Sequence, residues 1–579
     1  MLKRLVSILF LVILAGGAAQ ATNLTIGAAG RVTFELVGSD AAFRNTLSIA
    51  SPLTLAIVSS GCKLEPAVGL GGTQILSEKT SQRGCRVELD SDPATPGIQG
   101  FPAGATFELR MCAQLNPDPP CEFVWSSNQS SNSDNFDHLH ITPVNPVEFP
   151  GQIYRLNWED QSGGGDQDFN DLIAIVRVNL DSDGDGLWDD WERFGIDVDG
   201  DGVIDLDLPA LGANWQHKDI FVEVDWMDCA VAGGDCAMGD THNHKPKTAA
   251  VTAVVNAFAS ANVTNPDGMN GINIHIDVSN SVAHQNALNI PALCFAGGAG
   301  IGNFDTVKTT NFINARRFAY HYCIFSHQQV TTSTSSGCGE LPGNDFQVAL
   351  GGWNVGLGDL DGDGLADANT GTVQQQSGTL MHELGHNLQL QHGGGDSINF
   401  KPNYLSVMSY RYQISDIAPT DPDGAGPMTA KIDYSKSALA SLNESSLSEP
   451  AGVGDGTDTV FWRCPGGGAL NSSVGNAALD WNCDTDATDV GVSSDTNNDM
   501  TTGTLTGFWD WANIRYDFQT TGAFEDGDHQ ALFPVQEITY PEYLTLVAPE
   551  LSTTQSPSSA TVVTGSNVTY SIQVKNNHS

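Results

Sequence analysis

The sequence predicts a multidomain chain: an N-terminal all-β sandwich, a calcium-loop linker, an α/β domain, and the start of a C-terminal immunoglobulin-like β-sandwich. Three observations predict it. Residues 22–178 run as short alternating segments such as "RVTFELV" and "TFELRMC" between Gly-, Pro- and Ser-rich turns, the pattern of a sandwich. Residues 179–210 carry aspartate at alternate positions. From Lys218 the apolar spacing changes to strand, helix, strands and helix, which defines a third region, 211–545.

Each segment has a physical reason. The chain opens with "MLKRLVSILFLVILAGGAAQA", in which Lys3 and Arg4 precede an apolar run and Ala19-Gln20-Ala21 fits a small-x-small cleavage site. Residues 1–21 therefore read as a secretory signal peptide, and no later apolar run reaches the length of a membrane span. The 11 cysteines fit an oxidising compartment, with close pairs at Cys62/Cys85, Cys112/Cys121, Cys229/Cys236 and Cys464/Cys483. Cys294, Cys323 and Cys338 remain, and three cannot all pair.

With 25 Lys+Arg against 68 Asp+Glu the net charge is −43, a field that excludes binding to nucleic acid or an anionic membrane. Acidic groups held together by bound cations are the alternative to mere solubility. The sandwich closes on "LNWEDQSGGGDQDFNDLIAIVRV", whose Asp160, Asp166, Asp168, Asn170 and Asp171 read either as an oxygen-ligand calcium loop or as a metal-free Asx-rich turn. That stretch resembles the closing signature of an extracellular domain family with no established activity.

The linker begins "DSDGDGLWDDWE". Asp181, Asp183, Asp185, the Leu187 carbonyl, Asp189 and Glu192 fall at positions 1, 3, 5, 7, 9 and 12 of an EF-hand calcium loop, with Gly186 at the sharp turn. A second copy places Asp197, Asp199, Asp201, the Val203 carbonyl and Asp205, with Leu208 where the bidentate Glu belongs. A third, "DLDGDGLADANT", offers Asp359, Asp361, Asp363 and Asp367. The loops resemble those of thrombospondin-type-3 or dockerin repeats, which implies calcium in a structural, rigidifying role.

In the α/β region "KDIFVEVDWM", "INIHIDV", "RRFAYHYCIFSH" and "NDFQVALGGW" read as strands, and "KTAAVTAVVNAFASANV" as a helix. The next helix, with Ser377 as expected N-cap, carries "MHELGHNLQLQHGGG". His382 and His386 lie four apart on one face and can share a metal, while Glu383 beside them can touch a metal-bound water. His392, beyond a turn, is the third imidazole; three such ligands leave the fourth position of a tetrahedral zinc open. Asp396 is a candidate acceptor for a ligand imidazole.

HExxHxxxxxH followed by "SVMSY" resembles the metzincin clan of zinc metallopeptidases, in the serralysin and astacin style. The resemblance is specific over 382–410 and extends by element order over 218–440. It implies Met408 as a floor beneath the metal and Tyr410 as a zinc ligand or oxyanion donor. It also implies hydrolysis of internal peptide bonds in a protein or peptide substrate, with Glu383 as general base and zinc as cofactor. The substrate is expected along an edge strand at "NDFQVALGGW". Where the clan has glycine after the helix this chain has Gln389, so the turn is expected to differ in shape. No cysteine-switch propeptide is seen, which leaves the restraint of premature activity without a sequence element.

Two other pairs, His138/His140 and His242/His244, could each touch a metal, but nothing else at ligand spacing supports them and they read as exposed polar positions. After residue 440 come an Asp/Asn-rich loop and "TGFWDWANIRYDF", expected to pack its tryptophans back on the α/β domain. Residues 546–579 read as a linker and the first two strands of a sandwich, short of the ~100 residues that fold needs, which places the chain end inside a domain. Two rival functions stand beside the peptidase. One is an inert, calcium-stabilised adhesion or binding protein at a cell surface or matrix; the other is a zinc hydrolase of glycans or esters, against which the methionine turn argues.

Overall fold

The computed structural model describes residues 23–547 except 29, 39–43, 53–55, 61–69, 78–84, 92–99, 115–120, 145–151, 199–202, 291–292, 294–301, 415–431, 455–457, 467–469, 521–528 and 530–536, together with 551–554 and 573–576. Residues 1–21, expected to be a signal peptide, lie outside these residues. The chain divides into two compact units, residues 1–180 with 197–204 and residues 181–196 with 205–579.

The first unit is the expected sandwich. Its strands form two antiparallel sheets, one running through Arg44–Ser51 and Thr106–Gln114, the other through Arg31–Gly38 and Leu172–Asn179. Alternate residues turn inward, so Leu47, Ile49, Phe107, Leu109 and Trp158 are fully buried and share one core with Phe34 and Trp125. Each such aliphatic or aromatic side chain contributes ~1.5–3 kcal/mol on leaving water.

The second unit is built on a five-stranded sheet of β1 (Asp219–Asp228), β2 (Asn273–Ala283), β3 (Tyr320–Phe325), β4 (Gly337–Gly339) and β5 (Asp345–Val348). Their order is β2-β1-β3-β5-β4; the first four are parallel and β4 is antiparallel at the edge. The edge is therefore not at "NDFQVALGGW", as the sequence suggested: β4 hydrogen-bonds to the free side of β5 and makes it internal. Helices α1 (Thr248–Ala259) and α2 (Val373–Asn387) pack on this sheet through Val254, Phe258, Leu380 and Leu384, all at most 1 % exposed.

Helix α2 starts earlier than Ser377, which is buried within it. Thr372 is the N-cap, and its side chain and that of Gln375 satisfy each other's backbone N–H groups in a capping box. At the other end Gln389 N–H donates to the His386 carbonyl and Leu390 N–H to the Gly385 carbonyl, both at 2.8 Å, closing a Schellman turn. Gln389 holds φ +75°, so the turn keeps the left-handed shape despite the missing glycine. The N–H of Arg515 caps the Leu388 carbonyl at 2.9 Å, and Trp511 joins the sheet–helix core, as expected of the Trp-rich segment.

Disulfides join Cys112–Cys121, Cys229–Cys236 and Cys464–Cys483. Cys85 and Cys338 are also disulfide-bonded, whereas Cys62 and Cys294 lie outside the described residues. Cys323, buried in β3, is a free thiol. A separate small core gathers Leu442, Val460, Trp462, Leu479 and Trp481. Helix α3 (Tyr540–Val547) runs past residue 545, the boundary expected from sequence, and Leu551–Thr554 pairs antiparallel with Gln573–Asn576. Among the described residues no helix is long and apolar enough to cross a membrane.

Because the left-handed region costs an L-residue ~1–2 kcal/mol that glycine avoids, Gln389→Gly is expected to raise stability by about 1 kcal/mol, and Gln389→Val to lower it. Denaturant unfolding of both variants measures this.

Candidate functional site

His382 and His386 project from successive turns of α2, and a tight turn returns His392 to them. That turn is closed by reciprocal 2.8 Å hydrogen bonds between Gln391 and Gly394, with Gly394 at φ +83°. The three rings gather with centroids 4.7, 5.3 and 5.1 Å apart. Nδ1 of His382 donates to the Val407 carbonyl at 2.9 Å, and Nδ1 of His386 to the Leu390 carbonyl at 2.8 Å. Each neutral ring therefore presents a bare lone pair on Nε2, and these two nitrogens face each other at 3.1 Å. Lone pairs so placed repel unless a cation, a proton or a metal ion, stands between them. The orienting acceptors are backbone carbonyls, not Asp396, whose carboxylate takes the Lys401 ammonium at 3.1 Å instead.

The position expected to be open is faced by Glu537. Its carboxylate lies 2.9 Å from His382 Nε2, 3.2 Å from His386 Nε2 and 3.4 Å from His392 Nε2. The four residues thus bring their donor atoms within 4.8 Å of one another. Burial opposes ionisation of Glu537, but positive charge among His382, His392 and His386, from a proton or a metal ion, outweighs it and holds its carboxyl well below the usual range.

Glu383, fully buried, makes no hydrogen bond with either oxygen; burial and the neighbouring Glu537 push it well above the usual carboxyl range. Room for it comes from β4: a Cβ on Gly337 would stand 2.3 Å from Glu383 Oε1. The Tyr410 ring lies 4.6 Å from that of His392, and its hydroxyl has no hydrogen-bond partner. Met408, fully buried, fills the space beneath the helix, where a Cβ on Gly385 would come within 2.3 Å of its Sδ. The turn carrying Met408 is fixed by Asp510, fully buried, which accepts from Tyr404 Oη at 2.8 Å and from Ser406 Oγ at 2.5 Å.

Glu537 arrives on an extended segment. Thr539 pairs antiparallel with Ser335, just before β4: Ser336 N–H donates to the Ile538 carbonyl and Tyr540 N–H to the Thr334 carbonyl, both at 2.9 Å. Helix α3 follows, with Tyr540 and Tyr543 against Trp353 and the Leu546 carbonyl taking Arg411 Nη1 at 2.8 Å. A cavity of about 280 Å³ beside Tyr410 is lined by Ile538, Glu542, Leu546, Phe461 and Trp462.

In the first acidic loop Asp181 accepts the N–H groups of Gly184 and Gly186, and Asp185 those of Leu187 and Asp219. Asp189 is occupied by Ser182. Asp183 and Glu192, 7 % and 2 % exposed, have no partner for any carboxylate oxygen. Burial, then Asp181, pushes Asp183 up to about 7; burial, then Asp185 and Asp183, pushes Glu192 up to about 11. Asp219, which spacing could not reveal, adds to this crowd from β1.

The second loop is described only in part: Asp199 and Asp201 lie outside the described residues, and Leu208 begins a short helix capped by Asp207. In the third loop an ammonium stands where calcium was expected. Lys247, at the start of α1, ion-pairs with Asp363 at 3.0 Å, with Asp361 at 3.6 Å and with Asp367. Of the sandwich's closing cluster, Asp160 and Asp171 are buried beside Glu159, whereas Asp166 and Asp168 are exposed.

In each histidine pair one member is exposed or partly so, as expected for His140 and His242, and the other is buried. His138, just ahead of the strand Leu139–Pro143, is fully buried, stacked on Trp125 at 3.8 Å with Nδ1 on the Glu159 carbonyl. His140 stacks on Phe169. His244 is buried against His284 and His327.

Overpacking costs ~1–3 kcal/mol where the neighbour cannot retreat, so Gly385→Ala is expected to lower stability by about that amount through Met408. Gly358→Ala, where nothing lies within 4 Å of an added Cβ, is expected to be near neutral in the same unfolding assay.

Residues 101–179 match the family described as Domain of unknown function (DUF4114), which covers the later strands of the sandwich and its acidic closing loop. No curated protein and no solved structure matches the chain.

Proposed function

We propose that the chain is an exported zinc endopeptidase that hydrolyses internal peptide bonds of protein substrates, stabilised by calcium. The observation that carries this reading is the convergence of the His382, His386 and His392 Nε2 atoms beside Glu383, a buried carboxylate with no hydrogen-bond partner. The donor set fits zinc: neutral imidazoles, two of them oriented through Nδ1 by backbone carbonyls. Zinc bound there supplies a Lewis acid that acidifies a water and polarises a carbonyl. Glu383 takes the proton of the attacking water and returns it to the leaving amine nitrogen as the C–N bond breaks. Tyr410, its hydroxyl uncommitted, donates to the carbonyl oxygen as it gains negative charge. Met408 keeps the floor apolar and dry.

In this reading residues 537–540 are a strap that holds the site closed. They pair beside the edge strand, where an extended substrate would add itself, and set Glu537 against the imidazoles. The same contact favours the rival, because four protein ligands make a closed, structural zinc site, suited to an inert adhesion protein. Calcium is proposed at the first loop alone, on the orphaned carboxylates of Asp183 and Glu192; at the third, Lys247 supplies the charge.

Cleavage of an unfolded protein by the chain from residue 22 tests the proposal. Glu383→Ala is expected to lose roughly 10²–10⁴-fold in rate. Glu537→Ala is expected to gain activity while keeping one zinc at the site; inactivity with zinc lost supports the closed structural site instead. Calcium at 100 times its Kd is expected to add ~2.7 kcal/mol of stability. That gain should vanish in Asp183→Asn/Glu192→Gln, as read by thermal unfolding.

A further inference from the structure

A second nest of imidazoles lies at the carboxyl ends of the three adjacent parallel strands β2, β1 and β3. His242 and His244 come from the segment that folds back along the end of β1: the His244 N–H donates to the Met227 carbonyl at 2.8 Å, and Asn243 pairs with Asp228. Alternation along that extended segment turns both imidazoles to one side. His284 follows β2 directly, and His327 stands two residues past the end of β3. Chain order reverses here, β2 lying on one side of β1 and β3 on the other, the place where open parallel sheets gather ligands.

The hydrogen bonding assigns the ring protons. His242 Nδ1 lies 2.8 Å from Asp240 Oδ1 and His284 Nδ1 lies 2.9 Å from Asp235 Oδ1, so each Nδ1 carries the proton and donates it to a carboxylate. Each Nε2 is then a bare lone pair, and the two face each other at 3.1 Å. His244 Nε2 and His327 Nδ1 stand 3.2 Å apart in the same nest. All four residues bring a ring nitrogen within 4.8 Å of every other. Nitrogens bound tetrahedrally at 2.0–2.1 Å from zinc lie roughly 3.3 Å apart, so the two close separations suit one ion with little movement.

Protonation is a poor substitute, since His244 and His284 are 3 % and 1 % exposed and a charged ring would be buried against three others. Cys229 and Cys236 lie beside the nest but are joined to each other, and so offer no thiolate.

We infer that His242, His244, His284 and His327 form a second transition-metal site, independent of the peptidase reading, that takes zinc or a similar nitrogen-seeking divalent ion. With four protein ligands it is closed, so its role is structural: it ties the carboxyl ends of β1, β2 and β3 together. Imidazole donors exclude calcium.

Zinc per chain, measured by elemental analysis after equilibration with limiting zinc and removal of free ion, tests it on the chain from residue 22. The wild type is expected to hold one zinc more than His242→Gln/His327→Gln, and His382→Gln is expected to lose a different zinc without affecting this one. Equal zinc in wild type and the double variant overturns the inference, whatever the outcome at His382. A second measurement needs no variant. His242 is partly exposed, and zinc is expected to protect it and His327 from acylation by diethyl pyrocarbonate, mapped by peptide mass spectrometry. Unchanged reactivity of both rings with zinc present overturns it equally.

Discussion

The constraint on which the second unit depends is the convergence of like groups out of water. Nε2 lone pairs face one another on α2 and again at the end of the sheet, and carboxylates crowd in the first acidic loop. None of these arrangements is stable on its own, because burial removes the water that would otherwise screen or solvate each group. Lys247 shows the alternative within the same chain: one ammonium, placed by the start of α1, answers the third loop's carboxylates directly. Arg316 does the same for Glu223 and Lys308 for Asp345, whereas Asp183 and Glu192 in the first loop have no such cation.

The catalytic reading and the closed reading share every residue except in the role of Glu537. As a strap, its carboxylate is displaced when a substrate strand competes for the position beside β4; as a ligand, it completes the shell. The two differ in what holds the segment down. Beyond Glu537 the anchors are the two backbone hydrogen bonds to residues 334 and 336, the Trp353 stack and the bond from Arg411. These are ordinary contacts, each contributing about 0.5–1.5 kcal/mol, which a cleavage or a partner can overcome.

Much of this was legible because it is local. The i, i+4 spacing of His382 and His386, the return of His392 and the sandwich alternation follow from helix and strand periods. The Thr372–Gln375 capping box follows equally from local spacing, and it starts the helix five residues before Ser377. Glu537 had no such signal: it is 151 residues from His386, in a stretch with no motif. His284 and His327 were invisible for the same reason, since only the sheet order brings them to His242. The left-handed turn at Gln389 shows the opposite error, where residue preference was allowed to outweigh the Schellman hydrogen bonds that dictate the shape. For the sandwich, alternation predicted the layers but not that His138 would turn inward onto Trp125.

The pairing of residues 538–540 with 334–336 has a consequence for the behaviour of the chain in solution. A backbone edge that can pair with an added strand is a template for any extended segment, including those of neighbouring molecules. While the segment is seated, that template is occupied from within. Removing it would uncover both a cleft and a sticky edge, so self-association at high concentration is a hazard of opening, and a guard against it is built into the same few residues.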